Sequence, residues 1–288
     1  MSKRKTWILA TGVFVVVTTV LLFWPEGQQS VQTDAAPTSV LIDQDSAAEA
    51  TLQDVLEMAA QAKESLVANV DDYTATFVKQ ERDANGVLSP VSKMFMKVQT
   101  RHRGGRPGAP MRVYLKFLEP GSDSGRQVIW AEDLTNGKLW VKETGMLGLV
   151  PIPPLDPNGA LAMQGQRYPI SELGQTRMVE LLHERGQADL GDPNVSVVIQ
   201  EDVPFDDQTA TLIQVNRSKP SGRVDDFSLA EIFIDQQRSL ILKYQSFGWP
   251  SEGQDDAPLL ESYTFEDIQV NVGLSEMDFD TSNPEYGW

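Results

Sequence analysis

The chain of 288 residues contains no cysteine and only two histidines, His102 and His183. Without cysteine it has no disulfide, no thiolate nucleophile and no cysteine-bound metal. Neither histidine has a partner histidine at ligand spacing, so we expect no zinc or iron site and no other cofactor. A lipoprotein signal is also excluded, because its acylation needs a cysteine.

Sequence motifs that mark catalysis are also missing. There is no Gly-rich phosphate loop and no dinucleotide fingerprint. Ser122–Gly125 contains an Asp-Ser-Gly, but without flanking glycines or a positioned histidine we interpret it as a polar turn. Acidic pairs such as Asp206-Asp207 do not match the calcium-loop pattern. The sequence therefore predicts a non-catalytic protein.

Basic residues are few relative to acidic ones. Lys and Arg number 24 against 41 Asp and Glu, a net charge of −17. Three of the basic residues fall within the first 24, so the remainder carries 21 basic against 41 acidic groups, a net charge of −20. Such a surface repels nucleic acid and anionic headgroups, so we expect no nucleic-acid partner.

One long apolar run is present, from Trp7 to Trp24, directly after Lys3-Arg4-Lys5. A helix of about 18 residues spans roughly 27 Å, close to a bilayer core. The basic cluster predicts a cytoplasmic start, which places the rest on the periplasmic or extracytoplasmic side of the inner (cytoplasmic) membrane. A cleaved signal peptide is the alternative. It is disfavoured because the run is long and the nearest small-residue site, residues 33–36, lies far behind it.

These features divide the chain into a signal-anchor helix at 1–24, a flexible tether at 25–50 and an exported domain at 51–288. Within the domain, Thr51 with Asp54 predicts a helix start, and apolar spacing extends that helix to Asn69. A second helix is predicted over 171–185, ending before Gly186.

The rest of the domain is strand-like. Short connections, including the Asn136-Gly137 turn, predict antiparallel pairing. The fold class is therefore α+β, mainly β: a curved antiparallel sheet or incomplete β-barrel with helices covering one side, preceded by the transmembrane helix. The ten predicted strands are 73–81, 91–100, 111–118, 126–132, 138–143, 195–201, 209–217, 228–235, 240–247 and 260–270.

Three segments between and after the strands are predicted to form two loops and a C-terminal tail. The basic stretch Arg101–Gly108 holds His102, which we expect to be a solvated loop histidine. Residues 145–169 are apolar but broken by proline and glycine, which predicts a long, lid-like loop with short helical turns. Residues 274–288 are expected to wrap onto the domain.

Several strands carry apolar residues on both faces, as in Val128-Ile129-Trp130 and Leu240-Ile241-Leu242. One face can cover other strands or helices, and the other needs the loop, a ligand or a partner. A fully self-filled core is the simpler alternative. We predict an apolar cavity, with the candidate lining Met94, Met96, Val113, Leu115, Phe117, Trp130, Trp140, Met146 and Leu147.

Five stretches together resemble domain-of-unknown-function family 1571 of exported bacterial proteins, over most of 51–286. They are LQDVLEMAAQAKESLVANVDDYTATFVKQER, RVYLKFLEPGSDSGRQVIW, GALAMQGQRYPISELG, IDQQRSLILKYQSFGWP and NVGLSEMDFDTSNPEY. The stretch His102–Pro110 departs from the family pattern and looks like an insertion. The resemblance implies no catalytic residues.

The order of helix, strands, lid-like loop and further strands is also distantly similar to the lipoprotein-carrier fold. That likeness implies helices over the concave side of an incomplete barrel, with an apolar cavity for acyl chains. The resulting hypothesis is a membrane-tethered, non-catalytic envelope module that binds a lipid or acylated protein. An envelope sensor or protein-interaction domain without a small ligand is the alternative. The sequence names no protein partner.

Overall fold

The structure is a computed structural model that describes residues 37–42, 47–145, 148, 151–251, 253 and 256–288. The predicted anchor Trp7–Trp24 lies outside these residues, as do Met146 and Leu147. In the part of the chain that is described, no helix combines the length and apolar character needed to cross a membrane.

Eleven antiparallel strands form one curved sheet in the described residues, in the order β1-β7-β8-β9-β10-β11-β2-β3-β4-β5-β6. The sheet is open because β1 and β6 occupy its two edges. The mainly β, antiparallel class and all ten predicted strands are confirmed. The strands are β1 Ala47–Ala50, β2 Asp72–Glu81, β3 Ser92–Gln99, β4 Arg112–Phe117, β5 Gln127–Ala131, β6 Leu139–Lys142, β7 Val195–Phe205, β8 Gln208–Arg217, β9 Leu229–Asp235, β10 Leu240–Phe247 and β11 Leu259–Val270.

Helix α1 spans Leu52–Asn69, as predicted, and begins with a capping box. The Thr51 hydroxyl accepts from the Asp54 amide at 3.2 Å, and the Asp54 carboxylate accepts from the Thr51 amide at 2.8 Å. These bonds satisfy two amides that the first turn of a helix leaves without partners.

Helix α2 spans Gln175–Asp189, four residues later at both ends than predicted. It starts late because Ile170–Glu172 forms a short 3-10 turn and Gly174 has φ +119°, a conformation that L side chains rarely adopt. Gly186 does not end the helix. A Cβ at this position would lie 2.9 Å from Leu56 Cδ2, so the glycine lets α2 pack closely against α1.

Both helices cover one face of the sheet, which we call the helix face, and the other is the outer face. The main apolar core includes Leu66 of α1 and Val179 of α2 on the helix face, and it continues to Leu212 and Phe233 on the outer face. The C-terminal segment packs on the outer face of β4 and β5, where Tyr286 stacks on Tyr114 with ring centroids 4.2 Å apart. Wrapping of residues 274–288 onto the domain is thereby confirmed.

Part of the predicted tether belongs to the folded domain. Ala47–Ala50 forms β1 and pairs with β7. Thr38 and Val40 are hydrogen-bonded to side chains of the sheet. Residues 25–36 and 43–46 lie outside the described part of the chain, so for them the tether remains a prediction.

The expectation of a solvated His102 is wrong, because its side chain is buried and the residue is only 7% exposed. The 3-10 turn Arg103–Gly105 folds the basic stretch back beneath the end of α1. Burial lowers the pKa of His102, although the nearby Leu66 and Val70 carbonyls act in the opposite direction. In the described structure its Nε2 atom has no hydrogen-bond partner.

Candidate functional site

An apolar cavity of about 80 Å³ lies between the two helices and strands β8, β9 and β10. Alternation along the strands aims Ile213 of β8, Ala230 and Ile232 of β9 and Tyr244 of β10 at the helices. The polar residues of the lining are His183, Arg185, Asp189, Ser239 and Tyr244.

Helix α1 closes this cavity with a stripe of apolar side chains at helical spacing. Leu56 of the stripe is buried, whereas its neighbours in the lining are only partly buried. The helix therefore covers the cavity loosely. The partly buried members of the stripe are Leu52, Val55, Met58, Ala59 and Ala62.

The size of the cavity limits what this conformation can hold. Its volume of about 80 Å³ is roughly half that of an engineered apolar cavity of about 150 Å³ that binds benzene. A longer hydrocarbon chain would fit only if the helices separated from the sheet or from each other.

Helix α2 is fixed to the sheet at both ends by buried polar contacts. At its start, the Gln175 side chain donates to the Ile241 carbonyl at 3.0 Å and accepts from the Ile241 amide at 2.8 Å. At its end, Asp189 pairs with Arg217 at 2.5 Å.

Helix α1 has polar anchors mainly at its C-terminal end. There Thr100 Oγ1 donates to the Val70 carbonyl at 3.0 Å, and Asn271 Nδ2 donates to the Asn69 carbonyl at 2.7 Å. Midway along the helix, Lys63 pairs with Glu180 of α2, and because the two side chains are 49% and 29% exposed, solvent screens the pair and it contributes little. The part of α1 that lines the cavity is therefore held chiefly by apolar contacts.

A buried cluster of charged and phenolic groups lies beside the cavity on the helix face. Glu81 of β2 and Glu261 of β11 are cross-strand neighbours and only 5% and 2% exposed. Tyr263 Oη lies 2.6 Å from Glu81 Oε1 and 3.1 Å from Glu261 Oε2. We call Glu81, Glu261, Tyr263, Arg167 and Arg185 the carboxylate cluster.

Cations balance the two carboxylates of this cluster. Arg167 Nε lies 3.1 Å from Glu261 Oε2, and Lys79 Nζ lies 3.1 Å from Glu81 Oε2. Arg185 Nη1 lies 3.7 Å from Glu261 Oε1. Burial, followed by the charges of Glu261 and Glu81, raises the pKa of Tyr263 far above its ordinary value, so its hydroxyl stays protonated.

The carboxylate cluster joins the end of the 145–169 loop to the sheet. Arg185 Nη2 donates to Tyr168 Oη at 2.7 Å, which ties α2 to the same loop. Because both carboxylates are buried and already paired with cations, the cluster is suited to holding the loop and α2 in place rather than to acid–base chemistry. Sequence reasoning missed it, because residues at 81, 167, 185 and 261 share no spacing pattern.

The predicted lining residues lie elsewhere than this cavity, and none of them is among its lining. Seven of the nine are described, and six share the helix face of β3, β4 and β5. Trp140 pairs with Ile129 across β5 and β6, so it lies on the outer face, where it is 36% exposed. Ligand contact by these residues remains a prediction. The six that the structure brings together are Met94, Met96, Val113, Leu115, Phe117 and Trp130.

The chain adopts an open antiparallel sheet covered on one face by two helices, and an apolar cavity lies between the helices and the sheet. Residues 70–288 match the family described as "Protein of unknown function (DUF1571)", and the chain belongs to that family. The family membership predicted from the five resembling stretches is confirmed. No curated protein matches the sequence.

Several solved structures are similar to the chain at low sequence identity. A DUF1329 family protein from Desulfovibrio piger is 10% identical with a TM-score of 0.39, over 80% of this chain and 98% of that one. A putative outer membrane lipoprotein-sorting protein domain from Vibrio parahaemolyticus is 13% identical with a TM-score of 0.35, over 80% and 97%. A LolA superfamily protein from Nitrosomonas europaea is 10% identical with a TM-score of 0.30, over 80% and 98%. The predicted distant likeness to lipoprotein carriers is found, at scores too low to carry an argument about function.

Proposed function

We propose that this protein is a non-catalytic binding module that takes up a hydrocarbon chain, from a lipid or an acylated protein, between its helices and strands β8–β10. The observation that carries the proposal is the apolar cavity at that place, with its partly exposed α1 stripe. Residues 7–24 would tether the module to the inner membrane, with the domain on the periplasmic or extracytoplasmic side.

Uptake of a hydrocarbon chain requires the cavity to widen. Helix α1 is the element that would move, because α2 is fixed at Gln175 and Asp189, whereas the cavity-lining part of α1 rests on apolar contacts. Separating α1 from α2 would break the close contact between Leu56 and Gly186. Each CH₂ group of the ligand that moves from water into the cavity contributes about 0.8 kcal/mol to the free energy of binding.

Native mass spectrometry of the purified domain, residues 36–288, tests this function, together with solvent extraction of bound lipid. We expect acyl-chain species to accompany the wild-type domain. Ala59→Trp places a large ring in the cavity and should abolish their recovery. Ala60→Trp is the matched control, because Ala60 lies on the exposed side of the same helix.

Recovery of no acyl species from the wild-type domain, or equal recovery from both variants, would contradict the proposal. That outcome would favour the alternative of an interaction domain without a small ligand. Cross-linking in the membrane would then be the experiment that identifies its partner.

A further inference from the structure

A line of buried polar side chains crosses the outer face of five neighbouring strands, behind the cavity. Its members are paired from strand to strand in the antiparallel register, and each is at most 8% exposed. Buried polar groups are costly unless they are hydrogen-bonded, so such a line calls for a partner. We call it the polar row, and it consists of Gln214, Glu231, Gln245, Ser262 and Gln80.

Residues 37–42, which we call the stem, lie on this row and are bound through their main chain. The Val40 amide donates to Glu231 Oε1 at 2.9 Å. Gln214 Nε2 donates to the Val40 carbonyl at 2.9 Å, and Gln245 Nε2 donates to the Thr38 carbonyl at 3.3 Å. Since all three bonds involve backbone atoms, the row recognises an extended peptide rather than particular side chains.

Side chains of the stem alternate as they do in a strand. Val40 and Ile42 are partly buried against the core, whereas Leu41 between them is 94% exposed. The stem therefore combines hydrogen bonds between its main chain and side chains of the sheet with alternate apolar contacts.

Glu231 is the centre of the docking site. It is 0% exposed and also accepts from Gln214 Nε2 at 2.7 Å and from Gln245 Nε2 at 2.5 Å. Within the described residues no Lys, Arg or His lies within ion-pair distance of it. Because this surface is polar, it can be hydrated when the stem leaves, whereas a purely apolar groove could not be exposed without a large cost.

The row also has hydrogen-bonding capacity beyond the contacts with the stem. The Oε1 atoms of Gln245 and Gln80 are buried and have no hydrogen-bond partner among the described residues. Both could accept from the amide of an extended peptide.

We propose that the polar row is a docking site for an extended peptide main chain, which residues 37–42 of this chain occupy reversibly. With Trp7–Trp24 as the proposed anchor, docking leaves twelve residues, 25–36, between the anchor and the stem, and release raises the number between the anchor and β1 to twenty-two, 25–46. Release of the stem would thereby let the domain lie farther from its membrane.

The absence of cysteine makes this testable in the full chain. Leu41→Cys provides a single, exposed site for a nitroxide label, whose mobility is read by electron paramagnetic resonance. In this background Val40→Pro removes the amide that donates to Glu231. Ser39→Pro is the matched control, because no hydrogen bond of the Ser39 amide is found within the described residues.

We expect an ordered label in the parent protein and in the Ser39→Pro variant. In Val40→Pro the ratio of mobile to ordered label should rise at least about tenfold, because a hydrogen bond to a charged acceptor is worth roughly that factor or more. Glu231→Met should give the same increase, and Glu266→Met on β11 should not.

Three results would overturn the proposal. A mobile label in the parent protein would show that the stem is not docked, and equal spectra for the Val40 and Ser39 variants would show that Glu231 does not hold it. Loss of the native circular dichroism in Val40→Pro would show that the stem is part of the fold rather than a reversible ligand of it.

Discussion

Replacement of Glu261 by glutamine tests how strongly the carboxylate cluster stabilises the domain. Glu261 is 2% exposed and faces two guanidinium groups, those of Arg167 at 3.1 Å and Arg185 at 3.7 Å. It also accepts hydrogen bonds from Tyr263 and Tyr244. Glutamine keeps the shape of the side chain but removes the charge, so both arginines lose a buried counter-ion.

Breaking a buried ion pair from one side typically costs about 3–5 kcal/mol. Since glutamine still offers one acceptor oxygen, we expect a loss of about 3 kcal/mol in the free energy of unfolding, which lowers Tm by roughly 6–12 °C. Urea unfolding followed by circular dichroism, with a thermal scan, measures both quantities.

Glu266→Gln on the same strand is the matched control. Its partner Lys93 lies at 2.7 Å, but the two side chains are 33% and 40% exposed, so the pair should contribute about 1 kcal/mol or less. A second comparison is the double variant Glu261→Gln/Arg167→Met, which should lose less than the sum of the two single changes. The reasoning is refuted if Glu261→Gln costs no more than Glu266→Gln.

Two further changes test the burial of His102 and the docking of the C-terminal segment. Because burial holds the pKa of His102 below the ordinary value of 6.5, the folded state binds fewer protons than the unfolded state, and stability is lost as pH falls below about 6.5. His102→Gln should remove this part of the pH dependence, at most about 1.4 kcal/mol per pH unit, as measured by urea unfolding across this pH range. Tyr286→Ala removes a buried ring that stacks on Tyr114, and we expect a loss of about 3 kcal/mol. Trp288→Ala, at a residue 37% exposed, should cost much less in the same assay, and equal losses for the two would contradict docking through Tyr286.

The strands and the first helix follow from local sequence. Thr51 and Asp54 form the expected capping box, and Asn136 and Gly137 both adopt positive φ in the connection between β5 and β6. Each of these features depends on residues within a few positions of one another, so pattern and propensity are enough to predict it.

Predictions made from the sequence were wrong where contacts between distant residues override the local pattern. Gly186 was expected to end α2, but it lies inside the helix, where the missing side chain lets α2 pack closely against Leu56 of α1. The alanine-rich β1 has little strand propensity and forms because β7 offers an edge to pair with. His102 was expected in solvent, because nothing adjacent in the sequence shows that the end of α1 covers it.

The amino-acid sequence by itself determined the family, the antiparallel β class, the absence of cysteine chemistry and the strongly acidic surface, because these depend on composition and on patterns a few residues long. Only the tertiary structure decided where the apolar cavity lies, that Glu81 meets Glu261 across β2 and β11, and that residues 37–42 dock on Glu231. These contacts join residues up to 191 positions apart. They exist because the order of strands in the sheet, which no local pattern encodes, brings those residues together.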